Sequence, residues 1–98
     1  MESDHIKGYD LLIKAILSLE TEEEVKILLE DLMTRKEIVD SAQRMLVAKM
    51  LSEQVVYSKI AEETGASTAT ISRVNRSYRY GAGGYRTVLD RIEKEEEK

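Results

Sequence analysis

No proline occurs anywhere in this chain of 98 residues, and three of its five glycines fall together at 81–84. Strand-rich sandwiches need turn punctuation every few residues, and here it is missing. Phe and Trp are absent too, the five aromatics all being Tyr. Such a chain is free to run in helices, and the predicted class is all-α, with about six helices. At this length one small domain spanning 1–98 is expected. Apolar residues recur along the whole chain, which argues against disorder. A core this small gains most from burial against a partner, so a homodimer is the expected assembly.

The longest aliphatic run, residues 45–48, is four residues long, far short of the ~18 needed to span a bilayer. The opening Met1-Glu2-Ser3-Asp4 is acidic and leads into no apolar signal segment. Zero Cys leaves no disulfide framework and no thiolate metal site. These absences fit a cytoplasmic protein. The single His, His5, stands near the start and offers a catalytic relay nothing to work with. No nucleophile–base pair, metal-ligand cluster or paired acidic site is visible, so no enzyme, metal or cofactor is expected.

Ile6, Tyr9, Ile13, Ile16 and Leu17 recur at helical spacing, predicting a helix over about 5–20. Thr21 with Glu24, and Thr34 with Glu37, have capping-box spacing and open two more helices. The second of these runs to about Leu51 and carries Ile38, Val39, Ala42, Met45, Leu46 and Leu51 on more than one face. That spread implies burial on most sides against a second protomer. Residues 5–52 are therefore expected to form the dimerisation helices. The period breaks around Ser52 to Val55. Further helices are predicted at about 57–64, 68–79 and 85–96. Between the last two, the glycine stretch at 81–84 reads as a flexible hinge.

Residues 57–76, YSKIAEETGASTATISRVNR, carry the functional signal. Two helices joined steeply by a three-residue turn need an inward Ile60, a small Ala61 for close approach, and a left-handed Gly65. They also need a cap at Ser67 and an inner face at Ile71 and Val74. All six positions hold suitable residues, which is the helix-turn-helix pattern; residues 57–79 are its expected extent, with 85–97 following as the C-terminal helix.

The second helix would enter the major groove by its N-terminal end, where Ser67, Thr68, Ala69 and Thr70 are small and hydrogen-bonding. Ser58 and Lys59 would meet phosphate at the start of the helix before it. Arg73 and Arg76 lie further along, within reach of the DNA backbone. The formal net charge of −4 hides a segregation that suits this reading. Residues 65–86 hold four Arg and no acid, a local +4, leaving 11 basic against 19 acidic residues elsewhere. The bland alternative is a helical hairpin with a solvated basic face. A second is a protein-interaction module that keeps the fold without recognising specific DNA.

From LMTRKEI at 32–38, through the helix carrying Arg44, to ETGASTATISRVNRSY at 63–78, the chain resembles the Trp repressor superfamily, and most narrowly its YerC/YecD members. The resemblance implies an intertwined all-helical homodimer on a two-fold symmetric operator, acting as a repressor. It also implies a small-molecule corepressor between the core and the reading head. The matching positions are Thr34, Arg44, Arg73 and Ser77. Two arginines could sandwich a planar ring while hydroxyls hold the charged end of an amino acid. The family's pocket glycine is Val74 here. A branched side chain would project into the space for an indole, which counts against L-tryptophan and leaves another effector, or none.

Overall fold

In the computed structural model, which describes residues 5–97, the chain forms six helices and, among those residues, no strand. They are α1 (Tyr9–Leu17), α2 (Glu22–Leu32), α3 (Arg35–Ser52), α4 (Tyr57–Thr64), α5 (Thr68–Tyr80) and α6 (Gly84–Glu96). The acidic opening at 1–4 lies outside the described residues. The chain resolves into two compact units that meet within α3, one ending at Ile38 and the other beginning at Val39.

The N-terminal unit holds α1, α2 and the first turn of α3. Its first helix is shorter than the apolar spacing predicts. Gly8 turns left-handed at φ 85° just before Tyr9, and Ser18 Oγ donates to the Ala15 carbonyl at 2.7 Å where the helix ends. Both capping signals are realised. The Glu24 amide donates to Thr21 Oγ1 at 3.1 Å, and the Glu24 carboxylate accepts from the Glu20 amide at 2.7 Å. At α3 the box closes on itself. The Glu37 amide donates to Thr34 Oγ1 at 3.1 Å, and the Thr34 amide donates back to Glu37 Oε1 at 2.9 Å.

The Thr34 amide, and then its hydroxyl, hold the Glu37 carboxyl below its ordinary pKa. A carboxyl whose pKa is lower in the folded chain stabilises the fold above its unfolded value, and that contribution is lost as pH falls through the folded one. Glu37→Gln keeps an acceptor for the cap but cannot titrate. Its unfolding midpoint should therefore fall less than the wild type's between about pH 6 and pH 3. Parallel acid limbs in the two proteins would show that this box contributes nothing to the pH dependence.

No residue of α1 or α2 is buried in the single chain. Leu11 is 72% exposed and Leu17 77%. On α3 as well, the apolar spread is not covered, since Val39 and Leu46 remain about half open.

The second unit has the core. Val47, Ala48 and Met50 of α3 meet Ile60 of α4, Ala66 of the turn, and Ile71 and Val74 of α5; Leu51, Val55, Ala61, Tyr85 and Leu89 close the margin. α4 packs on α5 and α5 on α6. The break after α3 has a defined cause. Gln54 takes a left-handed φ of 63°, its amide bonds to the Leu51 carbonyl at 3.0 Å, and the Val55 amide bonds to the Met50 carbonyl at 3.0 Å. This is a Schellman ending with glutamine where glycine is usual. Residues 81–84, expected as a hinge, form a specific turn. The Gly81 amide donates to the Ser77 carbonyl at 2.9 Å, a Cβ at 81 would run into that carbonyl, and Gly83 turns left-handed at φ 93° to start α6.

Candidate nucleic-acid interface

Three residues carry α4 into α5, and hydrogen bonds hold the join together. Gly65 stands at φ 74° as the left-handed end of α4, its amide donating to the Ala61 carbonyl at 2.9 Å. Thr64 Oγ1 donates to the Ile60 carbonyl at 2.7 Å and accepts from the Ala66 amide at 3.1 Å. Gln43 Nε2 reaches from α3 to the Thr64 carbonyl at 3.1 Å. Ser67 caps α5 by accepting from the Thr70 amide at 3.1 Å. Beneath the turn Ile60 and Ile71 are fully buried and Val74 nearly so. The positions the sequence assigned to a helix-turn-helix are thus occupied as that motif requires.

The outer side of α5 begins with Thr68 and Ala69, both exposed, followed by a half-buried Thr70. Ser67 Oγ also donates to Thr70 Oγ1 at 3.1 Å, fixing the orientation of one hydroxyl at this end. The arginines of the basic segment fall into two classes. Arg79 Nε donates to Asn75 Oδ1 at 3.1 Å. Arg86 lies over the Tyr78 ring at 4.8 Å and donates from Nε to the Tyr78 carbonyl at 2.9 Å, tying α6 to α5. Arg73 and Arg76 are exposed, and no salt bridge among the described residues involves either.

At the start of α4, Ser58 is exposed and the Val56 cap gives the first amides no side-chain acceptor. Lys59 is paired with Glu63 at 3.2 Å, both ends about half exposed. Such surface pairs are worth a few tenths of a kcal/mol and yield readily to phosphate.

The residues assigned to an effector pocket are placed less favourably. Thr34 serves as the cap of α3. Arg44 is exposed and donates from Nη2 to Ser41 Oγ at 3.2 Å. Val74 is 2% exposed and is taken up by the core. The second unit has clefts, among them two near the expected effector residues. One, of about 770 Å³, lies between α3 and α6, with Met45, Leu46, Leu89 and Ile92 flanked by Lys49, Glu53, Arg86 and Glu93. The other, of about 530 Å³, runs along residues 81–84 to Met45, Ser77 and Val88. Ser77 is the one expected effector residue on either wall; Arg44, Arg73 and Val74 line neither. The tyrosines also divide. Tyr85 packs on the core and Tyr78 is half-buried, but Tyr80 is 83% exposed.

The sequence model of the family described as Trp repressor protein matches residues 7–93. The chain belongs to the Trp repressor family. It is 48% identical over 98 residues to the uncharacterised protein YerC of Bacillus subtilis, covering 98% of this chain and 94% of that one. Among solved structures, a TrpR-like protein from Eubacterium eligens shares 48% identity at a TM-score of 0.87, over 94% of this chain and 95% of its own. A candidate Trp repressor from Staphylococcus aureus shares 44% at a TM-score of 0.87, over 94% and 92%. The all-α fold expected from the resemblance is the one these structures have.

Two features of this Trp-repressor-family chain escape a sequence reading. The Gln43–Thr64 bond joins residues 21 positions apart, and neither polar residue stands out in an otherwise apolar pattern. The stacking of Arg86 on Tyr78 pins a guanidinium that a simple charge count treats as free to move.

Proposed function

We propose that this chain is a sequence-specific DNA-binding transcriptional regulator, working as a homodimer that represses by occupying a two-fold symmetric operator. One observation carries the reading: α5 combines an exposed end of small side chains with two arginines that form no salt bridge among the described residues. Close approach of Thr68 and Ala69 suits base edges and thymine methyls, while Arg73 and Arg76 suit phosphate, which supplies most of the affinity. The apolar faces left open on α1, α2 and α3 support a second copy that covers them. Two-fold symmetry then sets the reading helices about 34 Å apart, one turn of DNA. Family membership supports action on chromosomal DNA in the cytoplasm and a binding role with no catalysis.

L-tryptophan is not part of this proposal. Neither of the two clefts described above is lined by Arg44 or Arg73, and Val74 belongs to the core. Any corepressor would be another small molecule, in a pocket the dimer completes.

Selection from a random double-stranded pool, with and without L-tryptophan, tests both points. The expected result is one two-fold symmetric motif, enriched equally in the two arms. A motif seen only with L-tryptophan would restore it as corepressor. No enrichment in either arm would overturn the regulator reading in favour of a protein-interaction module.

A further inference from the structure

We infer that Gln43 is a positioning residue for DNA reading, through which α3 sets the pitch of the α4–α5 head. The inference rests on the regulator function proposed above. The Thr64 carbonyl is one of the end groups of α4 that a helix leaves without an internal partner, and Gln43 Nε2 supplies one at 3.1 Å. The same threonine donates to Ile60 and accepts from Ala66, so one residue joins α3, the end of α4 and the turn. Three residues beyond Thr64, Ser67 opens the reading helix with Thr70.

The apolar contact of α3 with this head runs through Val47, Ala48, Met50 and Leu51 against Ile60, Ala66, Ile71 and Val74. Apolar contacts are non-directional and tolerate small slides and rotations. A hydrogen bond is directional and weakens steeply off axis. The core therefore holds the head on, and Gln43 sets its angle. Phosphate contacts survive a small tilt because they are long-range and carried by flexible arginines. Base-edge contacts do not.

The test is Gln43→Met, which keeps the length and apolar stem but cannot donate, beside Gln43→Lys, which restores a donor. The probes are the duplex selected by the wild type and a scrambled duplex. For Gln43→Met the ratio of selected to scrambled affinity should fall about fivefold, the factor one net hydrogen bond supplies. Scrambled-duplex affinity and its salt slope should stay at wild-type values, the Ala66 amide should exchange faster with deuterium, and Gln43→Lys should recover the ratio. An unchanged ratio, or equal losses on both duplexes, would overturn the inference. Failure of the functional reading is distinguishable: the wild type would then select no motif, and the inference would fall with it.

Discussion

With Arg73 and Arg76 both replaced by alanine, affinity falls for DNA of every sequence and its dependence on salt flattens. Both side chains are exposed and lack an acidic partner among the described residues, so they displace counterions from phosphate without first breaking a bond within the protein. In a dimer each occurs twice. Four lost phosphate contacts make the slope of log affinity against log salt shallower by about 3.6. Arg86→Ala is the matched control. Its guanidinium is held by the ring and carbonyl of Tyr78, so thermal stability should drop while the slope stays as it was. Titration of a labelled, unrelated duplex at several salt concentrations reads both. A double variant with the wild-type slope would take the two arginines out of the interface.

Ile71→Ala should lower the free energy of unfolding by about 2–5 kcal/mol, with Ile71→Val costing about 0.5–1.5 kcal/mol. The largest fully buried side chains are Ile60, Ile71 and Val47. Truncating one of three leaves a cavity that few neighbours can close. Against the roughly 5–15 kcal/mol that holds a small domain folded, this is a large share. Urea unfolding at one fixed protein concentration measures it, since the stability of a dimer depends on concentration. A loss below about 1 kcal/mol for the alanine variant would mean that the head collapses onto the gap and does not depend on Ile71.

The helix-turn-helix was legible because each of its requirements is local. Gly65 is needed for a left-handed backbone, Ser67 for a cap within four residues, and Ile60, Ile71 and Val74 for one face of two short helices. The capping boxes at Thr21 and Thr34 were legible for the same reason. The end of α1 was not. Apolar spacing continues to residue 20, but Gly8 and the Ser18 hydroxyl decide where the backbone stops being helical. Counting charge found the basic segment at 65–86 but could not sort its arginines. The Arg79–Asn75 bond lies within α5, but whether Arg86 reaches the tyrosine ring on the preceding helix depends on how α6 returns beside α5.

The effector site shows the same boundary. Thr34, Arg44, Arg73, Val74 and Ser77 were grouped by resemblance, and Val74 was read as an intrusion into ligand space. Its burial with Ile60 and Ile71 is the inner-face role that the helix-turn-helix pattern also assigned to it. Helical periodicity already placed Val74 on the inner face of α5, and packing against α3 and α4 turned that face into core.

By itself the sequence determined what depends on neighbours within about one helical turn: an all-helical chain, where helices begin, the tight turn at Gly65, and a basic stretch free of acids. Those are matters of backbone geometry and short-range hydrogen bonding, and few residue types satisfy them. Only the tertiary structure decided which charges stay open, that Gln43 closes the end of α4, and that the faces of α1 and α2 lie bare in one chain. Each of these depends on groups far apart in sequence, brought together by non-directional apolar packing that many sequences satisfy equally well.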